Sequence, residues 1–304
     1  MLMLLSQTQE HTLNIQRNEP LARYTTARIG GPADFFSIAH SYSELQALVQ
    51  LAWEQDIPLL LLGAGSNVLI SESGFRGLVV LNRTRQVEIT ATDQGWCVLG
   101  ESGIGLPTLA RLCEQRGLGG LEWAATVPGT LGGAIFGNAG AYGQEIADHV
   151  ELVTFLHRDR GLQTKERAEL EFGYRSSWFK KVARQNSIIL NAKLNLPKAN
   201  PADIASKIST FQMRRRRAQP PGASFGSMFK NPPGDYAGRL IEAAGLKGLK
   251  IGEMQISEIH ANFFINCGHA TSQQVMALIE VAQKTVWQKF GVKLELEIEL
   301  VGEM

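Results

Sequence analysis

From Gly117 to Gly143 the chain is dominated by glycine and other small residues, and it carries no long periodic run of apolar side chains. Such a stretch has too little side chain to pack a core of its own. Its backbone must instead turn sharply or come close to something else. It reads as a functional loop enclosing one short helix. Its centre is Pro128-Gly129-Thr130-Leu131-Gly132-Gly133-Ala134, followed by Asn138-Ala139-Gly140-Ala141-Tyr142-Gly143. Two readings stay level on these residues alone. One is a bed for a large planar or phosphorylated ligand. The other is a tightly packed helix start and loop.

The elements around this stretch mix strands and helices without regular βαβ alternation, which predicts an α+β protein. The spacing of Leu45, Leu48, Leu51 and Ala52 predicts a helix over 43–55. Strands are expected at 58–62, 78–81 and 187–196, and a pair over 87–99 that turns near Asp93-Gln94-Gly95. A strand and turn are expected over 150–162. Helices are expected over 107–116, 201–217 and 236–244, the first two with proline near their starts. A short strand follows at 262–266, then a long amphipathic helix over 271–290. The end, 293–301, alternates strictly and predicts a closing strand with Glu295, Glu297 and Glu299 on one face. A solvated polar face is the plain reading of those carboxylates.

The 304 residues, 44% hydrophobic, exceed what one core usually organises, so two or three subdomains are expected. The main boundary falls near Lys198–Pro201, giving 1–198, itself split at about 75/76, and 199–304. The formal net charge is +1, which points to neither nucleic acid nor a membrane surface as partner. The three cysteines are far apart and in no CxxC pair, which excludes a disulfide framework and a cysteine zinc cluster and fits a reducing cytosol. The apolar start Met1-Leu2-Met3-Leu4-Leu5 is too short for a signal peptide, and no run approaches a membrane span. A cytoplasmic protein is expected, monomeric or weakly associating.

Gly63-Ala64-Gly65-Ser66-Asn67 follows an apolar strand, and backbone N–H groups in such a turn can cradle a diphosphate. Val68 breaks the Rossmann fingerprint, so by itself the motif is weak and reads more readily as a plain turn. Arg214 to Arg217 is a run of four arginines. It suits a solvated helix C-terminus or a patch for substrate phosphates, and is a poor nucleic-acid signal. No histidine spacing suggests a metal, and none is expected. Ser227 is in no GxSxG elbow and reads unaided as a loop serine.

In order along the chain the motifs are YTTARIGGPA (24–33), LGAGSNVLI (62–70), GLEWAATVPGTLGGAIFGNAGAYGQEI (120–146), FGYRSSWF (172–179), GSMFKNPPGDYAGRLIE (226–242), SEIHANFFIN (257–266) and FGVKLELEIELVG (290–302). This succession resembles the UDP-N-acetylenolpyruvoylglucosamine reductases, in their shorter type, over about residues 20–302. The resemblance implies a PCMH-type FAD-binding fold of two α+β subdomains plus a C-terminal α+β substrate-binding domain. It implies non-covalent FAD, NADPH as hydride donor and a UDP-sugar substrate, in a cytoplasmic step of peptidoglycan synthesis. Gly63, Ala64, Gly65, Ser66, Asn67, Pro128, Gly129, Thr130, Gly132 and Gly133 would surround the FAD diphosphate, with Asn138, Gly140 and Tyr142 nearby. Hydride would reach the β-carbon of the enol ether, Ser227 would protonate the α-carbon, and Arg175 and Glu297 would stabilise the charge between those events. Tyr174, Lys230 and Asn231 would line the substrate.

The chain departs from the family pattern at Ala218, where a diphosphate-binding lysine is usual, and Arg214 or Arg217 is expected to supply that cation. The closing motif reads Glu297-Ile298-Glu299 rather than Glu-Val-Arg, and Glu295 or Glu299 would occupy the same face as Glu297. The longer type's insertion with its substrate-contacting tyrosine is missing. Another PCMH-type oxidase, or a non-catalytic flavin- or nucleotide-binding module, are the alternative functions.

Overall fold

A computed structural model describes residues 12–93, 95–184 and 186–304. The apolar start at 1–5, and Gln94 of the expected turn, lie outside the described residues. In chain order the strands begin with β1 (Gln16–Pro20), β2 (Pro32–Ala39), β3 (Leu59–Leu62), β4 (Val68–Ile70), β5 (Phe75–Asn82), β6 (Val87–Thr92) and β7 (Gly95–Glu101). A two-residue hairpin follows, β8 (Gly140–Ala141) and β9 (Gln144–Glu145), then β10 (Val150–His157), β11 (Gly161–Glu166) and β12 (Ser187–Leu196). The last are β13 (Ala223–Ser227), β14 (Lys250–Ile251), β15 (Met254–Ile256), β16 (Phe263–Asn266) and β17 (Glu299–Val301). The helices are α1 (Tyr42–Glu54), α2 (Leu106–Gln115), α3 (Leu131–Gly137), α4 (Trp178–Lys181), α5 (Pro201–Ala218), α6 (Ala237–Ala243) and α7 (Ser272–Phe290). The chain is α+β.

Contacts divide the chain into two compact units, each made of three segments: 1–16, 35–64 and 77–214, and 17–34, 65–76 and 215–304. In the first unit an antiparallel sheet of order β11-β10-β12-β7-β6 forms the main layer. Trp123, Leu131 and Ile135 pack on Val153, Ala192 and Leu194 of this sheet in one buried cluster. A second cluster joins Leu45, Leu48, Val49 and Ala52 of α1 to Leu78 and Val80 of β5. Helix α1 starts where the Ser41 hydroxyl accepts the Glu44 N–H, and its apolar stripe faces inward. Strand β3 runs parallel to β5. It delivers the chain to the Gly63 turn.

In the second unit an antiparallel sheet of order β13-β16-β15-β14 packs against α6 and α7. Val275, Leu278, Ile279, Ala282 and Val286 recur at helical spacing on the buried face of α7. Thr271 and Gln274 form a reciprocal capping box at its start, and Gly291 at φ 66° ends it in the left-handed region.

The closing segment departs from expectation. Only Glu299–Val301 is a strand, parallel to β4. Residues 294–298 keep the alternation, with Leu294 and Ile298 buried, but their pairing is one antiparallel bridge, Phe229 to Leu296. The tail changes partner midway, and no ladder can run through such a change. The expected solvated face changes with it: Glu295 is exposed, while Glu297 and Glu299 are half-buried.

Among the described residues no helix is long and apolar enough to cross a membrane. Thr271→Ala removes one half of the α7 capping box and should lower stability by about 1 kcal/mol, read as a shift of the urea midpoint of second-unit signals at unchanged slope.

Candidate active site

Two first-unit segments meet at Gly63. A Cβ there would lie 2.6 Å from the Thr130 hydroxyl, so only glycine permits the approach. Thr130 caps α3, its hydroxyl accepting the Gly133 N–H at 3.3 Å. The N–H groups of Leu131 and Gly132 donate to the carbonyls of Ile104 and Ser102, and the Gly129 carbonyl accepts from Leu106. These contacts hold residues 128–133 rigidly. The backbone N–H groups of Ala64, Gly65 and Asn67 behave differently: they donate to no acceptor among the described residues. Donors left open in a glycine turn suit an anionic group.

Asn138, at φ 45°, ends α3 and is buried. Its amide donates to the Gly173 carbonyl at 3.0 Å and accepts the Ala147 N–H at 3.3 Å. Gly173 and Ser176 exchange both backbone hydrogen bonds around Tyr174-Arg175. Arg175 sits at φ 52° in that turn, and its Nη1 donates to the Gly140 carbonyl at 3.2 Å. Two cross-links, Asn138 to Gly173 and Arg175 to Gly140, therefore fix the arginine turn against the glycine hairpin. Tyr174 is exposed beside the Arg175 guanidinium, 5.6 Å from its ring centroid. Tyr142, at φ 57°, stacks on Phe211 of α5 with centroids 4.3 Å apart, and its hydroxyl donates to the Phe211 carbonyl. Left-handed backbone at non-glycine residues costs on the order of 1 kcal/mol or more each and concentrates at functional sites. Arg214 is exposed on α5.

The second unit gathers the other motifs. Thr26 donates through its N–H to the Gly65 carbonyl and through its hydroxyl to the Ser224 carbonyl at 2.7 Å. Gly65 is at φ 61°, and a Cβ there would lie 2.0 Å from the Tyr24 carbonyl oxygen. The tail then crosses two loops. Lys230 N–H donates to the Glu295 carbonyl and Glu297 N–H to the Met228 carbonyl. The Asn67 side chain donates to the Glu297 carbonyl at 3.1 Å, and Glu299 N–H donates to the Asn67 carbonyl. Glu297 is thus pinned by its backbone between Asn67 and Met228, the neighbour of Ser227. Glu295 pairs instead with Lys230 at 3.4 Å on the surface.

Ser227 ends β13 and stands opposite Phe263 of β16, just after a register shift. Gly226 in that irregularity has φ 77°, and a Cβ on it would meet nothing within 4 Å. A bulge of this kind re-aims the next side chain. Asn231 accepts the Ala237 N–H at 3.1 Å and so starts α6. Asp235, held by Arg239 and the Tyr236 N–H, has its carboxyl pulled down to about 2. Arg217 is exposed at the end of α5, and Ser66 is half-buried. In the first unit Gly63 meets Thr130 and Arg175 is tied to Gly140, and in the second Asn67, Glu297 and Met228 are hydrogen-bonded together. Thr26, Asn262 and Asn266, whose amide donates to the Ala27 carbonyl at 2.8 Å, were not anticipated as organisers, and only their place in the YTTARIGG and SEIHANFFIN motifs signalled them. Among the described residues no cluster of acids, histidines and cysteines could hold a metal.

Gly65→Ala should be markedly destabilised, by roughly 1–3 kcal/mol from backbone strain alone before the clash is relieved. Gly137→Ala adds a Cβ that meets nothing within 4 Å and should be neutral or stabilising by up to about 1 kcal/mol, as expected for Gly→Ala in a helix. Urea unfolding of the two variants side by side checks the contrast.

Residues 33–164 match the FAD binding domain family. Residues 218–301 match the family described as UDP-N-acetylenolpyruvoylglucosamine reductase, C-terminal domain. The chain is 40% identical over 295 residues to the UDP-N-acetylenolpyruvoylglucosamine reductase of Lachnoclostridium phytofermentans, covering 96% of this chain and 94% of that one. It is 43% identical over 288 residues to the same-named enzyme of Caldanaerobacter subterraneus, covering 94% and 93%. The crystal structure of UDP-N-acetylenolpyruvylglucosamine reductase from Thermus caldophilus superposes with a TM-score of 0.79 at 32% identity, over 95% of this chain and 99% of that one. The PCMH-type α+β fold expected from the motifs stands on these matches. With 40% or more identity to relatives over nearly the whole length of both chains, the chain belongs to the UDP-N-acetylenolpyruvoylglucosamine reductase family.

Proposed function

We propose that this chain reduces the enolpyruvyl group of UDP-N-acetylenolpyruvoylglucosamine to give UDP-N-acetylmuramate, with FAD bound non-covalently and NADPH as reductant, in peptidoglycan synthesis. The observation that carries the reading is the tail of the second unit, which hydrogen-bonds both to the Gly65–Asn67 turn and to the residues following Ser227. FAD supplies, when bound, the two-electron relay between NADPH and the enol ether. The residues present fit it: a glycine turn with open N–H donors, and at Gly63 and Thr130 a contact that any Cβ would block. Gly63, Ala64, Gly65, Ser66, Asn67, Pro128, Gly129, Thr130, Gly132 and Gly133 hold its diphosphate, with Asn138, Gly140 and Tyr142 shaping the bed.

Addition of hydride at the β-carbon pushes negative charge into the substrate carboxylate. Arg175 is the cation assigned to that charge, since the bond to the Gly140 carbonyl fixes its guanidinium before substrate arrives. Glu297, protonated or paired to an arginine, shares the role. Its assignment over Glu295 is supported by the surface ion pair that Glu295 makes with Lys230. The Ser227 hydroxyl gives its proton to the α-carbon, and a neutral donor is adequate because a carbanion is a very strong base. Lys230, Asn231 and Tyr174 face the sugar nucleotide. Arg217 or Arg214, both exposed, supplies the diphosphate cation that Ala218 lacks. The same proposal divides the chain into an FAD-binding part, 1–198, and a substrate-binding part, 199–304. It places the enzyme in the cytoplasm as a monomer or weak associate, without nucleic acid.

Ser227→Ala should leave flavin reduction by NADPH intact and slow reoxidation by the enolpyruvyl substrate by ~10²–10⁴-fold, measured by anaerobic stopped-flow absorbance. Reoxidation at the wild-type rate would remove Ser227 as the donor. Arg217→Ala or Arg214→Ala should raise KM for the UDP-sugar and leave KM for NADPH unchanged. If neither moves it, the phosphate assignment is wrong.

A further inference from the structure

After Ser227 the backbone leaves β13 and runs on as a short segment whose one strand-like contact among the described residues is the isolated bridge of Phe229 to Leu296. Its outer edge, through Met228 O and Lys230 N, pairs with the tail. On the opposite edge the β13–β16 register ends at Ser227 and Phe263. Phe229 is fully buried there, and buried peptide groups without partners are costly. One side chain replaces the missing strand. Phe229 N–H donates to Asn262 Oδ1 at 2.9 Å, and Asn262 Nδ2 donates to the Phe229 carbonyl at 2.8 Å. The Met228 N–H donates to the Asn262 backbone carbonyl at 2.8 Å. Only a carboxamide presents a donor and an acceptor side by side to match both polar atoms of one residue.

Asn262 is itself fixed. It is 3% exposed, and its N–H donates to His260 Nδ1 at 3.2 Å. The His260 ring stands edge-on to Phe263 at 4.9 Å and packs over Gly238, where a Cβ would come within 3.0 Å of it. Burial lowers the His260 pKa, which favours the neutral ring that such an acceptor requires. The Ser257 hydroxyl accepts the N–H groups of Ile259 and His260.

We infer that Asn262, held by His260, is a positioning residue for proton delivery: its amide clamp on Phe229 fixes the chain two residues beyond Ser227, which is itself half of the last β13–β16 pair, and so fixes the Ser227 hydroxyl. The inference rests on the assignment of Ser227 as donor. A misplacement of about 1 Å at a reacting group can cost on the order of 10²-fold in rate, and Ser227 is only two residues from the clamp.

The test is a double-mutant cycle on FAD-loaded enzyme, with the two half-reactions measured separately. Asn262→Ala should slow reoxidation by the substrate by roughly 10–10²-fold while flavin reduction by NADPH stays within about twofold, as uncoupled sites behave. Asn262→Asp, which keeps the shape and the acceptor, is the variant to use if the alanine form does not fold, and it should show the same one-sided loss. In the Ser227→Ala background either substitution should change reoxidation by no more than about threefold. An equal loss in both backgrounds, or an equal loss in both half-reactions, overturns the inference and leaves Asn262 a stabilising residue only. If Ser227→Ala alone leaves reoxidation unchanged, it is the donor assignment that fails.

Discussion

The organisation of the second unit depends on one stretch of extended backbone, residues 295–299, hydrogen-bonded to two loops. Its N–H and carbonyl groups are shared out in turn: Glu295 and Glu297 to the segment after Ser227, then Glu297 and Glu299 to Asn67. Residues 295, 297 and 299 have the same parity, so in extended backbone their polar groups serve one edge, first the segment after Ser227 and then Asn67. Leu294 and Ile298 anchor the same stretch in the core. The side chain of Glu297 is placed as a consequence. A slip of two residues would keep the face but break the bonds to Met228 and Asn67, which is why the same-face neighbours are not equivalent.

The first unit solves a different problem, holding a glycine-rich backbone still. It does so with short polar links and with left-handed residues at Asn138, Tyr142 and Arg175. Such conformations persist only where surrounding contacts over-determine them. Here the buried Asn138 amide, the Tyr142 stack on Phe211 and the Arg175 bond to Gly140 do so. The small residues make room for backbone to approach backbone, and the polar links convert that closeness into rigidity.

Much of this was legible in the sequence, for identifiable reasons. Helices α1 and α7 have strong stripes and clear caps, and β12 is a long apolar run, so their bounds fell within a residue or two of expectation. The 293–301 strand was over-read because alternation reports which side chains are buried and not which backbone pairs. Strand β2 was missed: Pro32–Ala39 is mostly buried on both faces and shows little alternation. At the site, motif order pointed to Ser227 and Arg175, yet nothing in composition could announce that Arg175 adopts a positive φ or that Asn262 pairs with Phe229 in place of a strand. Those roles depend on contacts between residues 35 positions apart, Gly140 with Arg175, or 33 apart, Phe229 with Asn262.

A reductase of this family must carry out a complete flavin-dependent reduction of a UDP-sugar. Anaerobic spectroscopy of the purified wild-type protein tests it most directly. A flavin spectrum that bleaches with NADPH and returns on adding UDP-N-acetylenolpyruvoylglucosamine is the predicted result. A bleach that this substrate does not reverse, or no flavin bound even after FAD is supplied, would contradict it.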